Sequence, residues 1–279
     1  MSSLEIKSVL KETSDKLRNI TDIPQKEAML LLANTLKKEL SWLVSHENDL
    51  VEIDESFYKA VERRVAHEPL EYILGKATFY GKEFKVDKRV LIPRPETELL
   101  VDKVLELLPH EEHMHIVEIG CGSGIISIML ALLYPSASFC AVDISKDALD
   151  VSRHNANHFG VESKIDFIHG SYLDNVTQKI DVIVSNPPYI AENEPLAVGL
   201  SYEPSLALYG GKRGDEMLQK IIDLFSEKDA MLLVCEMGYD QKEAIAHYAS
   251  LKGYAAEFYK DLAGLDRGFW IKGKRWEKV

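Results

Sequence analysis

The sequence is poor in cysteine and has no long hydrophobic run. Its three cysteines, Cys121, Cys140 and Cys235, lack the paired spacing of a zinc site, and we interpret them as free thiols in or beside strands. The longest apolar stretch, around residues 125–134, is too short to span a bilayer. Residues 1–7 lack the apolar core of a signal peptide. We therefore expect a cytoplasmic protein that does not contact membranes.

The sequence also has a deficit of positive charge. Its 33 lysines and arginines against 45 aspartates and glutamates give a formal net charge of −12. Non-specific binding of nucleic acid needs a basic surface, so this balance argues against direct nucleic-acid binding. The sequence has two histidine clusters, one at residues 110–115 in a charged connector and one at residues 154–158. The second cluster lacks the glutamate of a zinc protease motif. We interpret both as solvated or helix-face side chains. No metal is expected.

The first quarter of the chain has the pattern of a small helical bundle. At 279 residues the chain is long enough for one large domain or two unequal ones. Residues 1–66 are expected to be helical throughout, with Pro24 in the first turn of a second helix and Asp54 as the cap of a third. A module that docks a partner and a domain that only packs against the rest of the chain are both consistent with this pattern.

The pattern becomes extended between residues 69 and 95. Residues 72–75 and 77–86 are expected to form two short strands around a glycine turn, a β-hairpin that joins two domains. Residues 93–98, Pro-Arg-Pro-Glu-Thr-Glu, then open a helix. Arg94 is unusual because nothing local requires a cation there. The predicted organisation has three parts: a helical domain at residues 1–75, a hairpin linker at 76–95 and an α/β domain at 96–279.

After residue 115 the sequence alternates between predicted strands and helices, which is typical of a parallel sheet built from βαβ units. Strands are predicted at residues 116–119, 138–142, 165–169, 181–185 and 231–235, with two weaker strands at 255–259 and 268–272. Helices are predicted at residues 124–133, 146–159, 216–227 and 241–251. The expected fold class is therefore α/β, with a Rossmann-like, mostly parallel sheet.

A glycine-rich turn follows the first of these strands. Residues 117–124, Val-Glu-Ile-Gly-Cys-Gly-Ser-Gly, run from a strand into a helix, and glycines let the backbone pass close to a ligand. Asp143 ends the second strand, where a carboxylate can accept both hydroxyls of a ribose. Glu118 would repel a pyrophosphate but tolerates an ammonium group. This favours S-adenosylmethionine, while a nicotinamide dinucleotide stays an alternative. Tyr172 either lies against the adenine or belongs to the core.

A second motif joins a buried strand to a stiff corner. Residues 181–189 read Asp-Val-Ile-Val-Ser-Asn-Pro-Pro-Tyr, and Pro187 and Pro188 cannot continue a strand. The Asn186 side chain and the neighbouring carbonyls are thus held at the carboxyl end of a strand, where ligands bind in open α/β sheets. Two acceptors and the Tyr189 ring suit a planar amino group. An ordinary proline turn is the alternative.

Together these motifs resemble the HemK/PrmC family, the bacterial peptide chain release factor glutamine methyltransferases. The resemblance extends from about Pro69 to the end of the chain, and residues 265–270 are bulkier than is usual in that family. Besides the two motifs above, it rests on separate segments in the right order: Pro-Leu-Glu-Tyr-Ile-Leu-Gly at 69–75, Phe-Tyr-Gly at 79–81, Leu-Ile-Pro-Arg-Pro-Glu-Thr-Glu at 91–98, Tyr-Glu-Pro-Ser-Leu-Ala-Leu at 202–208 and Gly-Gly at 210–211.

The resemblance implies a class I methyltransferase fold with a seven-stranded sheet and S-adenosylmethionine as the cofactor. We also expect a monomer. The implied substrate is the glutamine of the Gly-Gly-Gln motif in class I release factors, methylated on side-chain N5. A ribosomal-protein glutamine methyltransferase and a DNA adenine-N6 methyltransferase are the alternatives. The residues implied in cofactor binding are Gly120, Cys121, Gly122, Ser123, Gly124, Asp143, Tyr172 and Asn186. Those implied in substrate binding are Arg94, Asn186, Pro187, Pro188 and Tyr189.

Asn186, Pro187 and Tyr189 are the candidate catalytic residues. We expect the Asn186 side-chain oxygen and the Pro187 carbonyl to accept the two N–H groups of the target amide, with the Tyr189 ring against the amide plane. These contacts would orient the nitrogen for direct transfer of the methyl group.

Overall fold

The computed structural model describes residues 3–109 and 113–276, so His110 of the predicted connector lies outside the described residues. The chain divides into two compact units. One comprises residues 1–76 and 197–202, and the other comprises residues 77–196 and 203–279. Within the described ranges, no helix combines the length and the apolar character needed to cross a membrane. The three-part organisation drawn from the sequence, with its docking domain and linker, stays a prediction.

The first unit packs short helices around an apolar core. Its elements in chain order are β1 (Ser3–Glu5), α1 (Ile6–Leu17), α2 (Pro24–Leu36), α3 (Leu40–Ser45), β2 (Leu50–Glu52), α4 (Glu55–Val65) and α5 (Leu70–Leu74). The Asp54 carboxylate caps α4 by accepting from the N–H groups of Ser56 and Phe57, as predicted. The expectation that residues 1–66 are helical throughout is wrong, because β1 and β2 form an antiparallel pair.

The prediction of a strand at residues 72–75 is also wrong. Pro69 precedes the first turn of α5, and Gly75 ends that helix in the left-handed conformation, with φ 75°. The apolar residues between these two signals therefore complete a helical turn. The β-hairpin itself is shorter than expected, with β3 (Lys76–Phe79) and β4 (Lys82–Lys85) joined at Tyr80 and Gly81. Both turn residues have positive φ, as a two-residue hairpin loop requires.

The second unit is built on a seven-stranded sheet in the order β12-β13-β11-β8-β5-β6-β7, in which only β13 runs antiparallel to its neighbours among the described residues. The strands of this sheet are β5 (His115–Ile119), β6 (Ser138–Asp143), β7 (Ile165–His169), β8 (Val182–Ser185), β11 (Leu232–Glu236), β12 (Ala256–Lys260) and β13 (Asp266–Lys272). Two further strands, β9 (Ile190–Ala191) and β10 (Tyr209–Gly211), form a separate parallel pair. The helices are α6 (Glu96–Leu107), α7 (Ile125–Leu133), α8 (Lys146–His158), α9 (Glu216–Glu227) and α10 (Lys242–Leu251).

The strand order fixes where a ligand can bind. The central strands are buried on both faces and therefore form continuous apolar runs, such as the fully buried β8. The chain runs outward from β5 through β6 to β7, and then returns to place β8 on the other side of β5. This reversal opens a crevice beyond the carboxyl ends of β5 and β8. The glycine-rich turn and the Asn-Pro-Pro-Tyr corner follow these two strands.

Candidate active site

A cleft within the second unit opens at this edge of the sheet, with an empty volume of about 1090 Å³. It is large enough for a nucleoside and part of a second substrate. Gly124 is the N-cap of α7, Pro187 is buried, and Tyr189 is half-buried. The other residues that the sequence assigned to the site line the cleft together: Arg94, Gly120, Cys121, Gly122, Ser123, Asp143, Tyr172, Asn186 and Pro188.

A tight turn connects β5 to α7 and lies against the end of β6. Gly120 and Cys121 both donate their backbone N–H to the carbonyl of Val142, at 2.8 and 3.1 Å. Gly124 adopts φ 81°, and a Cβ at this position would overlap the Ser152 side chain. The turn therefore requires glycine here, and its backbone can approach a ligand closely.

Asp143 lies at the carboxyl end of β6 with its carboxylate held by backbone groups. One oxygen accepts from the N–H of Gly122 and the other from the N–H of Ser145, both at 2.8 Å. Burial raises the pKa of Asp143, and these two N–H groups oppose the shift. Each carboxylate oxygen can accept more than one hydrogen bond, so both remain able to bind the hydroxyls of a ribose.

Glu118 is buried at the end of β5 and borders the cleft. Its Oε2 accepts from the backbone N–H of Ser127 at 2.9 Å and from the Ser127 hydroxyl. Burial raises the pKa of Glu118 to about 8. Within the described part of the chain, no protein group donates to Oε1. This carboxylate, together with Asp143 and the glycine turn, fits a nucleoside that carries an ammonium group and no phosphate.

The Asn186 corner is held by a chain of side-chain hydrogen bonds. The Asn186 Nδ2 donates to the Thr97 hydroxyl at 3.0 Å, and that hydroxyl donates to Oε2 of Glu236 at 2.7 Å. The Tyr189 hydroxyl donates to Oε1 of the same carboxylate at 3.3 Å. No donor from residues 3–109 or 113–276 reaches the Asn186 side-chain oxygen or the Pro187 carbonyl. Both oxygens therefore remain able to accept a hydrogen bond, and Asn186 itself lines the cleft.

The backbone of the corner is fixed from behind. The side chain of Gln241 donates to the Tyr189 carbonyl at 3.0 Å. Gly210, at the β9–β10 pair, packs so closely that a Cβ would overlap the backbone oxygens of Pro188 and Gly214. The Tyr189 carbonyl is therefore occupied and the Pro188 carbonyl is closely packed, whereas no donor from the described residues reaches the Pro187 carbonyl.

Arg94 has a partner that the sequence analysis did not find. It forms an ion pair with Glu203, whose carboxylate also accepts from the backbone N–H of Ile92 at 2.9 Å. Glu203 is buried, and Arg94 stays partly exposed at the cleft. This pair connects the segments at residues 91–98 and 202–208, 109 positions apart. A contact of Arg94 with a substrate stays a prediction.

Sequence reasoning missed Thr97 and Glu236. The strand predicted at residues 231–235 stops one residue short of the observed β11, which ends at Glu236. A carboxylate at the end of an apolar strand, on the edge where ligands bind, was the available signal. Thr97 was read only as part of the first turn of a helix.

Comparison with known proteins identifies the family. Two family models match the chain, the PrmC N-terminal domain over residues 8–75 and the methyltransferase small domain over residues 96–199. The release factor glutamine methyltransferase of Aquifex aeolicus is 32% identical, over 99% of this chain and 98% of its own length. That of Neisseria gonorrhoeae is 36% identical, over 91% and 96%. The chain belongs to the release factor glutamine methyltransferase family.

Other matches place this family member in a wider context. The bifunctional methyltransferase of Rickettsia conorii is 37% identical over 94% of this chain, which spans 56% of the length of that relative. A methyltransferase structure from Pyrococcus furiosus has a TM-score of 0.53 at 18% identity, covering 71% of this chain and 91% of its own. The hMettl16 catalytic domain has a TM-score of 0.59 at 11% identity, covering 96% and 91%. The predicted class I methyltransferase fold is confirmed.

Proposed function

We propose that this chain transfers a methyl group from S-adenosylmethionine to side-chain N5 of the glutamine in the Gly-Gly-Gln motif of class I release factors. The observation that carries the proposal is the pair of available acceptors, the Asn186 side-chain oxygen and the Pro187 carbonyl, beside a cleft that fits the cofactor. The two full-length relatives named for glutamine methylation of release factors support it. The cytoplasmic location and the monomeric state stay predictions.

The cofactor wall of the cleft consists of the turn at residues 120–124, Asp143 and Glu118. S-adenosylmethionine supplies, when bound, a methyl group on a positively charged sulfur. Asp143 would hold the ribose hydroxyls, Glu118 the ammonium group, and the turn the body of the nucleoside. Tyr172 lines the same wall and offers its ring to the adenine.

The amide wall of the cleft consists of the corner at residues 186–189 together with Thr97 and Glu236. An amide nitrogen is a poor nucleophile because its lone pair is delocalised into the carbonyl. Asn186 and Pro187 accept its two N–H groups, so they orient the nitrogen and stabilise the positive charge that it gains. Tyr189 packs beside the amide and excludes water. The nitrogen is acidic once it carries the methyl group, so it then loses one of its N–H protons to solvent and no strong base is needed.

The direct test is to incubate the protein with methyl-labelled cofactor and a class I release factor, and to locate the label by mass spectrometry. We expect one methyl group on the glutamine of the Gly-Gly-Gln motif, and none on a release factor in which that glutamine is alanine. Parallel reactions contain ribosomal proteins and adenine-containing DNA. Labelling of either substrate, with an unmodified release factor, would contradict the proposal.

A binding measurement separates the cofactor from its alternative. Thermal-shift titration with S-adenosylhomocysteine should raise the melting temperature, because a ligand that binds only the native state stabilises it. At about pH 9, where the Glu118 carboxylate is ionised, NAD should leave the melting temperature unchanged, since its pyrophosphate would lie near that negative charge.

A further inference from the structure

Two buried polar side chains of the amide wall have no role in the mechanism above. Thr97, on the first turn of α6, has no exposed surface, and Glu236, at the end of β11, is 1% exposed. They connect Asn186 to Tyr189 through three consecutive hydrogen bonds. Buried polar groups are costly unless they are hydrogen-bonded, so this chain of contacts fixes each member in one orientation.

The direction of these hydrogen bonds follows from the chemistry of the groups. A carboxylate can only accept hydrogen bonds, so the single proton of the Thr97 hydroxyl is directed at Glu236. The hydroxyl oxygen can then only accept from its other neighbour. Of the two ends of the Asn186 carboxamide, the NH2 group must therefore face Thr97. Its oxygen is left facing the cleft, where a substrate N–H has to be bound.

We propose that Thr97 and Glu236 are positioning residues that set the rotation of the Asn186 carboxamide and so direct its oxygen at the substrate amide. The proposal relies on the proposed function for the identity of the substrate, and on the geometry alone for the orientation of Asn186. With the carboxamide rotated by half a turn, its NH2 group would meet the NH2 group of the target glutamine, and no hydrogen bond could form.

The surroundings of Glu236 make this orientation depend on pH. Burial raises the pKa of Glu236 to about 7, against the hydrogen bonds from Thr97 and Tyr189 and the nearby positive charge of Arg267. Glu96 adds to the rise, and burial, followed by the charge of Glu236, raises the pKa of Tyr259. Once protonated, Glu236 can donate to Thr97, whose own proton is then free to turn towards the Asn186 oxygen. The productive orientation is therefore enforced only above this pKa.

Two substitutions of Thr97 separate the effect of its hydroxyl group from the effect of its side-chain volume. In Thr97→Val the shape is kept but Asn186 loses its acceptor, so kcat for release factor methylation should fall about tenfold or more, with the KM for the cofactor within about twofold. Thr97→Ser keeps the hydroxyl and should stay within about threefold of the wild type. Thr13→Val, the same change at a buried threonine of α1, should leave kcat unchanged. Equal activity of the valine and serine variants would overturn the proposal.

Substitution of Glu236 tests the pH dependence. In the wild type, kcat should decrease on the acid side with a midpoint near the pKa of Glu236. In Glu236→Gln, which cannot titrate and can present either end of its amide to Thr97, kcat above about pH 8 should be roughly tenfold lower and the acid limb should disappear. A purely structural role would lower the melting temperature and leave the limb in place, which would overturn the proposal.

An NMR measurement that does not depend on turnover tests this proposal independently of the proposed function. With asparagine-selective isotope labelling, the side-chain NH2 signal of Asn186 can be assigned by its loss in Asn186→Ala. This signal should shift and lose protection from solvent exchange in Thr97→Val, and remain in place in Thr97→Ser. If the wild type methylates no release factor but the signal behaves in this way, only the proposed function fails. An unchanged signal in Thr97→Val would overturn the positioning role.

Discussion

The cofactor wall and the amide wall of the cleft are held in different ways. In the cofactor wall, carboxylates accept from backbone N–H groups nearby in the chain: Glu118 from Ser127, nine positions away, and Asp143 from Gly122, 21 positions away. In the amide wall, Asn186 is held by the side chain of Thr97, 89 positions away. One wall thus depends on local backbone geometry, and the other on side chains that the fold brings together.

This difference predicts different consequences for the reaction. Backbone N–H groups cannot rotate once the turn has formed, so the cofactor wall keeps its shape whenever the second unit is folded. The amide wall contains a carboxamide and a hydroxyl that can each rotate, so its shape depends on which protons are present. We therefore expect changes in the cofactor wall to alter mainly affinity, and changes in the amide wall to alter mainly turnover.

The largest effect should come from Asn186→Ala. This substitution removes an acceptor whose hydrogen bond strengthens as the substrate nitrogen gains charge, so kcat should fall by about 10²-fold or more. Single-turnover methylation with saturating cofactor measures the change. Asn157→Ala, at an exposed asparagine of α8, serves as the control and should retain full activity. Near-normal turnover in Asn186→Ala would contradict the expectation that changes in the amide wall alter mainly turnover.

The next largest effect should come from Gly210→Ala, which tests whether the backbone behind the amide wall is closely packed. The new methyl group would overlap the carbonyl oxygens of Pro188 and Gly214, so the free energy of unfolding should decrease by about 1–3 kcal/mol. Urea denaturation measures this decrease. Gly199→Ala is the matched control, because among the described residues, apart from Gly199 and its two chain neighbours, no atom lies within 4 Å of the added methyl group. Equal stability of the two variants would contradict this packing.

A smaller effect, on affinity, should come from Asp143→Ala in the cofactor wall. Loss of a carboxylate that binds ribose hydroxyls should raise the KM for the cofactor about tenfold, while kcat at saturation changes little. Titration with S-adenosylhomocysteine checks the affinity directly. Asp150→Ala, at an exposed aspartate of α8, is the control. An unchanged KM would place the ribose elsewhere, and a large loss of kcat would show that the two walls do not act separately.

The same contrast explains how much the sequence could predict. The cofactor wall lies in two short stretches at the ends of adjacent strands, so residue types and strand order were sufficient to locate it. The corner at residues 186–189 could be located for the same reason. Thr97 and Glu236 could not be connected to it, because they lie 89 and 47 positions from the corner residues that they contact and only the fold brings them together. The ion pair between Arg94 and Glu203 could not be predicted for the same physical reason.

The smallest effect is a pH dependence of stability that arises in the cofactor wall. Burial raises the pKa of Glu118 to about 8 in the native state, whereas the unfolded chain has the ordinary value of about 4.3. Between these values the native state binds a proton that the unfolded state does not, so the contribution of Glu118 to the free energy of unfolding decreases as pH rises.

The difference in stability between the wild type and Glu118→Gln, measured by urea denaturation, should therefore change by about 1 kcal/mol between about pH 6 and pH 7. Saturating S-adenosylhomocysteine should reduce this change, because a nearby ammonium group favours the ionised carboxylate. Parallel curves for the two proteins without ligand would show that Glu118 is already ionised in this range, so that the cofactor wall would add no pH dependence to the stability.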